Sequence, residues 1–214
     1  MPTSTAEAAA YAARLIVDER CPWALARQKL ARTLPRRSPL PGSQEIESAV
    51  REHLAVFCPE HPRLLAALRA EALAVMMRLG DAGLPAWIAG AVLNGAATED
   101  SNITLECFSD NPKEPEMILM DLGIAWEPVE TISPPALESQ ETIGWLHPVR
   151  PGSVLSKLLP GNRFVGVTLD ILPEKSRGLN PRRAAPDSRQ LPAEAAGRLD
   201  AEGLMRLLQD SRPD

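Results

Sequence analysis

Aromatic side chains are scarce in this chain, 4% of 214 residues, so aliphatic side chains must build its core. Cysteine is scarce too. Cys21, Cys58 and Cys107 form no C-x-x-C pair, which argues against a disulfide scaffold and suits a reducing compartment. No apolar run approaches the roughly 18 residues that read as a membrane-spanning helix. The first ten residues hold no basic segment followed by an apolar one, so no secretory signal is expected and the expected location is cytoplasmic. There is no excess of positive charge. The formal net charge of −5 does not favour a large nucleic-acid footprint, although it leaves room for a local basic patch. Ser residues lie in no Gly-x-Ser-x-Gly elbow, and His147, followed by Pro148, has no catalytic partner assignable from sequence.

What is present is ordinary globular composition, 44% apolar and 24% charged, with 21 prolines, about twice the usual share. The first 83 residues read as helical. A helix over 5–33, broken near Cys21-Pro22, has one stripe of Tyr11, Leu15 and Ile16 and a second of Leu25, Leu30 and Leu34. Ser43 is the expected N-cap of the next helix, with Ile46, Val50, Leu54 and Phe57 on its apolar face. A broad apolar helix follows through Leu64, Leu65, Leu68, Leu73, Val75, Met76 and Leu79, stopped at Gly80 or Gly83.

The period then changes. Residues 86–93 form a short apolar run that predicts a strand or a strand-like entry into a turn. Residues 102–108 alternate, with Ile103, Leu105 and Cys107 on one face and Thr104, Glu106 and Phe108 on the other. Asp110 or Asn111 is the expected cap of a helix over 112–122, and short strands are expected near 124–131 and 142–146. Residues 164–172 give the clearest strand, Val165, Val167, Leu169 and Ile171 facing one way and Gly166, Thr168 and Asp170 the other. Residues 173–198 read as a loose Pro- and Arg-rich tail before a short helix over 200–209. The fold class is α+β, a helical N-terminal region on a small mixed sheet. The expected divisions are 1–83, 84–172 and 173–214.

The segment from Gly90 to Leu105, Gly-Ala-Val-Leu-Asn-Gly-Ala-Ala-Thr-Glu-Asp-Ser-Asn-Ile-Thr-Leu, resembles the signature of the minimal nucleotidyltransferase superfamily. In that family a Gly-Ser pair opens a turn after an apolar stretch. A second glycine follows, and then Asp-Ser-Asp-apolar-Asp-apolar enters the next strand. The register fits without a gap, with Gly90 and Gly95 at the two glycines and Asp100-Ser101 before the strand. Carboxylates two apart on a strand project from one face and can hold the divalent metals that bridge a nucleoside triphosphate, while the turn lets backbone N–H groups approach phosphates. Here the family's Ser falls on Ala91, and its two metal-binding acids fall on Asn102 and Thr104. Neither supplies the negative charge that hard-cation ligation requires. Asp170 is the one candidate for the third acid. The resemblance thus implies a vestigial phosphate or nucleotide site of Gly90, Ala91, Gly95, Ser101, Asn102, Thr104 and Asp170, with no catalytic residue, metal or cofactor. Residues 8–172 are also similar to an uncharacterised proteobacterial group, some of whose members carry a muramate–alanine ligase label. The absence of a Gly-Lys-Thr/Ser phosphate loop gives that label no support.

Other clusters have plainer explanations. His53, Cys58 and His61 match no compact zinc spacing and lack a fourth ligand. Arg36 and Arg37, and Arg177, Arg182, Arg183 and Arg189, form two basic loop clusters that read as solvated charge, or as contacts to nucleic acid or an acidic partner. The second N-terminal helix carries Arg27, Gln28, Lys29 and Arg32 in imitation of a helix-turn-helix, but docking through Trp23, Leu25 and Leu30 is the simpler expectation. Glu106 reads as an exposed strand residue and Asp110 as a helix cap. The expected function is therefore a non-catalytic binding or regulatory protein on a degenerate nucleotidyltransferase-like fold, with weak nucleotide or phosphate affinity. The alternative is an enzyme with an unrecognised active site, or residual nucleotidyl transfer.

Overall fold

The computed structural model describes residues 4–35, 39–129, 139–159, 161 and 163–211. They fall into two compact units, Met1–Pro62 and Arg63–Asp214. Within the first unit, helix α1 (Thr5–Val17) starts at Ser4, whose hydroxyl accepts from the Glu7 N–H at 3.2 Å. Its buried face is rich in alanine, Ala8, Ala9, Ala12 and Ala13 beside Leu15 and Ile16. Small side chains let neighbouring helices approach closely where aromatics are few. Helix α2 (Trp23–Thr33) buries Ala26 and Leu30 and leaves Leu25 43% exposed, so the docking stripe lies one residue round from the expected Leu25 face. Arg27 donates to Ser43 Oγ at 2.7 Å and Lys29 pairs with Glu19 at 3.4 Å. Helix α3 (Ser43–Phe57) is capped by Gly42 rather than Ser43. That shift puts Glu45 at the third helical position, where its carboxylate accepts the Gly42 N–H at 2.7 Å. Ile46, Val50 and Leu54 are buried, while Phe57 is 66% exposed under the His53 ring (centroids 4.6 Å apart).

In the second unit, helix α4 (His61–Asp81) sends Leu64, Leu65, Leu68, Val75, Met76 and Leu79 into the same apolar cluster as the sheet. This is why the compact units divide after Pro62 and not near residue 83. Strand β1 (Trp87–Ala89) runs into the one-turn helix α5 (Gly90–Asn94), so the apolar run 86–93 is a short strand followed by a turn of helix. Then come β2 (Ile103–Phe108), α6 (Lys113–Asp121), β3 (Glu127–Pro128), β4 (Glu141–Pro148), α7 (Val154–Leu158), β5 (Phe164–Leu172), β6 (Arg198–Leu199) and α8 (Ala201–Asp210). Pro112 holds the N-cap position of α6, and the Asn111 side chain, one of the two expected caps, accepts the Lys113 N–H at 3.2 Å.

The fold is mixed α+β, with one six-stranded sheet ordered β3-β4-β5-β2-β1-β6. Strands β2 and β5 are parallel and central, and every other pairing is antiparallel. On one face Ile103, Leu105, Cys107, Val165, Val167, Leu169 and Ile171 join α4, Leu119 of α6, and Leu204 and Leu207 of α8 in a single core. His147 lies on this face, 3.7 Å from Glu71 of α4, and burial holds its imidazole below the ordinary value.

The tail is ordered by what it touches. Residues 198–199 pair with β1. Gly197 adopts φ +82°, and any Cβ there would strike Asn180 and the backbone of Arg182 and Arg183, because the tail crosses itself at this point. Buried Arg69 of α4 is its anchor. The guanidinium donates to Val92 O at 3.0 Å, Leu93 O at 2.7 Å and Glu194 Oε1 at 2.6 Å. Removing one member of a buried, hydrogen-bonded ion pair typically costs about 3–5 kcal/mol. Arg69→Met should lower unfolding free energy by about that amount, and Arg69→Met/Glu194→Leu should recover most of it. Urea denaturation checks both, and equal stabilities of the two variants would contradict this account.

Candidate functional site

The second face of the sheet is built by alternation. Thr104, Glu106 and Phe108 of β2 share it with Gly166, Thr168 and Asp170 of β5, because the parallel register aligns Thr104 with Thr168 and Glu106 with Asp170. Trp87 and Ala89 of β1 lie opposite Glu106 and Thr104, and so belong to the same face.

At the N-terminal end of these strands the face is open and neutral. Thr104 and Thr168 bring their hydroxyls to 3.4 Å. The exposed Asn102 side chain lies over Gly166, where a Cβ would collide with it. Gly90 follows β1 with φ +67°, and an added Cβ would come within 3.2 Å of Thr104 Oγ1. Both its left-handed backbone and its close approach to Thr104 therefore require glycine. Gly95 ends α5 in the left-handed region, and Ala91 is partly buried within that turn. Gly90, Asn102 and Thr104 thus gather at one place. Ser101 turns elsewhere, its hydroxyl accepting the Thr98 N–H at 2.8 Å and closing the 98–101 turn.

Toward the C-terminal end the same face is charged and covered. Glu106 is 4% exposed and Asp170 8%. Glu106 is therefore not the exposed strand residue that alternation alone suggests. Arg182 of the tail ion-pairs with Glu106 and stands 3.7 Å from Asp170 Oδ2, and Arg198 approaches the other Glu106 oxygen at 3.4 Å. Thr142 of β4 donates to Asp170 Oδ1 at 2.8 Å. Burial pushes the Glu106 carboxyl above its ordinary value, against the pull of Arg182 and Arg198. Around it Trp87 and Phe108 meet edge to face at 5.1 Å, with Arg177 over both rings and Arg198 over Phe108.

The structure thus assigns the sequence's basic loop two different fates. Arg182, partly buried, meets the acids of the sheet face, and Arg177, though exposed, lies over Trp87 and Phe108, while Arg183 and Arg189 are exposed with no such contact among the described residues. Arg36 and Arg37 lie outside the described residues. Asp170 shares the face with Thr104 but sits one side-chain step along it, opposite Glu106. The groups that meet its carboxylate are the Thr142 hydroxyl and Arg182 rather than Asn102. Burial also pushes the Cys107 thiol, on the core side, up to about 12, which leaves it unreactive. In the N-terminal unit, His53 pairs with Asp18 at 2.8 Å. Among the described residues no group of three His, Cys, Asp or Glu side chains is arranged to hold a metal ion, and no helix is long and apolar enough to cross a membrane.

What sequence reading missed here is Glu106 and its arginines. The available signal was that an acid two residues beyond Thr104 shares its face, opposite Asp170 if the strands are neighbours. No protein-family model, curated protein or solved structure matches the chain.

Because the folded Glu106 binds its proton more tightly than an unfolded glutamate, its contribution to stability is largest at low pH. It is lost as pH rises from about 4.5 toward the raised value. Arg182→Ala removes the nearest compensating charge, so the variant should lose stability with rising pH more steeply than the parent. Thermal denaturation of both proteins between about pH 4.5 and 7 checks the sign, and parallel profiles would count against it.

Proposed function

We propose that this protein is a non-catalytic binding or regulatory protein on a degenerate nucleotidyltransferase-like core. The observation that carries the reading is the chemistry of one sheet face. The two positions that match the family's metal-binding acids are Asn102 and Thr104, and the acids that do lie on this face, Glu106 and Asp170, are engaged by Arg182 and Arg198. A two-metal clamp needs carboxylates free to bridge cations, and a guanidinium between them already balances their charge. The retained Gly90 turn, packed against Thr104, supports an inherited scaffold better than an accidental likeness. It leaves hydroxyls, an amide and backbone groups as the means of holding a phosphate or nucleotide weakly. Cys21, Cys58 and Cys107 form no disulfide among the described residues, which a reducing compartment such as the cytoplasm would maintain.

Two measurements test the reading. Incubation with labelled nucleoside triphosphates, Mg²⁺ or Mn²⁺ and candidate acceptors should give no transfer, and turnover abolished by Thr104→Ala would overturn the proposal. Calorimetric titration with ATP in the absence of metal should give weak binding, with a dissociation constant on the order of 1 mM. Thr104→Val, which keeps the shape and removes the hydroxyl, should weaken it further.

A further inference from the structure

One end of the sheet carries a charge pattern opposite to that of the whole chain. Between Glu141 and Asp170 there is no acidic residue, and the cations there are Arg150, Lys157 and Arg163. The structure brings them together. Val149 N–H donates to Arg163 O at 2.9 Å, so the chain leaving β4 runs beside the chain entering β5. The turn after Arg150 leads through Ser153, the N-cap of α7, to Lys157. All three are exposed, and none has an ion-pair partner among the described residues. Elsewhere in this unit Arg69, Arg177, Arg182 and Arg198 are each paired with an acid.

Apolar groups stand uncovered in the same place. Phe164 is 51% exposed, Leu146 68% and Val154 53%. The β4–β5 register sets Leu146 opposite Gly166 and Pro148 opposite Phe164. Phe164 and Leu146 are therefore diagonal neighbours on one face, and the Asn102 side chain lies over Gly166 between their strand positions. The Thr104–Thr168 hydroxyl pair continues this polar floor along the face. Val154 and Lys157 lie three residues apart on the outer side of α7.

We propose that this surface binds single-stranded nucleic acid, its phosphates held by Arg150, Lys157 and Arg163 and a base stacked on Phe164. Unpaired cations beside an exposed ring and a floor of small polar side chains are the elements of single-strand recognition. A lipid surface fits less well, because α7 has five residues and the described residues present no amphipathic helix of greater length at this end to lie in a bilayer interface. The surface adjoins the candidate site but does not depend on the nucleotidyltransferase-like reading, and its test uses neither triphosphate nor turnover.

The full chain is titrated into a fluorescein-labelled oligouridylate of about eight nucleotides and followed by anisotropy. Three neutralised phosphates give a slope of log K against log salt of about −2, so binding weakens about 20-fold between about 50 and 200 mM salt. Arg150→Gln/Lys157→Gln/Arg163→Gln should lose at least about tenfold in affinity and flatten the slope. Phe164→Ala should lose about tenfold while keeping the slope, and Phe164→Trp should bind as the parent does. Binding that is absent at low salt, or unchanged in the triple variant, overturns the proposal. So does equal affinity for a duplex of the same length, or a preference for phosphatidylserine vesicles or a polyglutamate peptide over the oligonucleotide.

Discussion

The guanidinium of Arg69 is the point on which the second unit is assembled. It is 2% exposed, and three protein oxygens surround it: the carbonyls of Val92 and Leu93 and the carboxylate of Glu194. A buried cation without partners would cost several kcal/mol, so wherever α4 packs, the α5 turn and residues near 194 must come to it. Burial pulls its pKa down and Glu194 pulls it back, so the ion pair offsets part of the cost of burying the charge. Through this one side chain the longest helix, the glycine turn after β1 and the C-terminal segment become parts of one body.

Once the tail is fixed at Glu194, its arginines have few places to go. Gly197 lets the chain cross itself beside Arg182 and Arg183, and this crossing presents Arg182 and Arg198 to Glu106 and Asp170. The covered half of the sheet face is thus an internally neutralised acid pair, with Trp87 and Phe108 sandwiched against Arg177 and Arg198. The uncovered half holds only neutral groups. A face divided in this way offers a cation no free carboxylate and offers an anion hydroxyls, an amide and nearby unpaired cations. That asymmetry is what the proposed binding role rests on.

Much of the secondary structure was legible in the sequence because its periods are strong. The alternation in 164–172 gives a strand with those bounds, and the apolar spacing after Pro62 gives α4. Shorter features were not. Helix α7, five residues long, has too few turns to show a period, and β6 is two residues whose strand character exists only through pairing with β1. The cap of α3 moved by one residue because Glu45 could reach the Gly42 N–H, a contact that spacing alone does not reveal.

The sequence by itself determined that positions 102 and 104 carry an amide and a hydroxyl, since no folding can turn Asn102 and Thr104 into carboxylates. It also determined the two faces of β2 and β5, because side-chain direction in a strand follows from residue number alone. Tertiary structure decided how the remaining charges are used. Glu106 and Asp170 are neighbours because β2 and β5 pair in parallel with one register, and Arg182 meets them from well beyond both strands along the chain. Pairings of that range depend on which surfaces the core leaves free, and a local pattern carries no record of them.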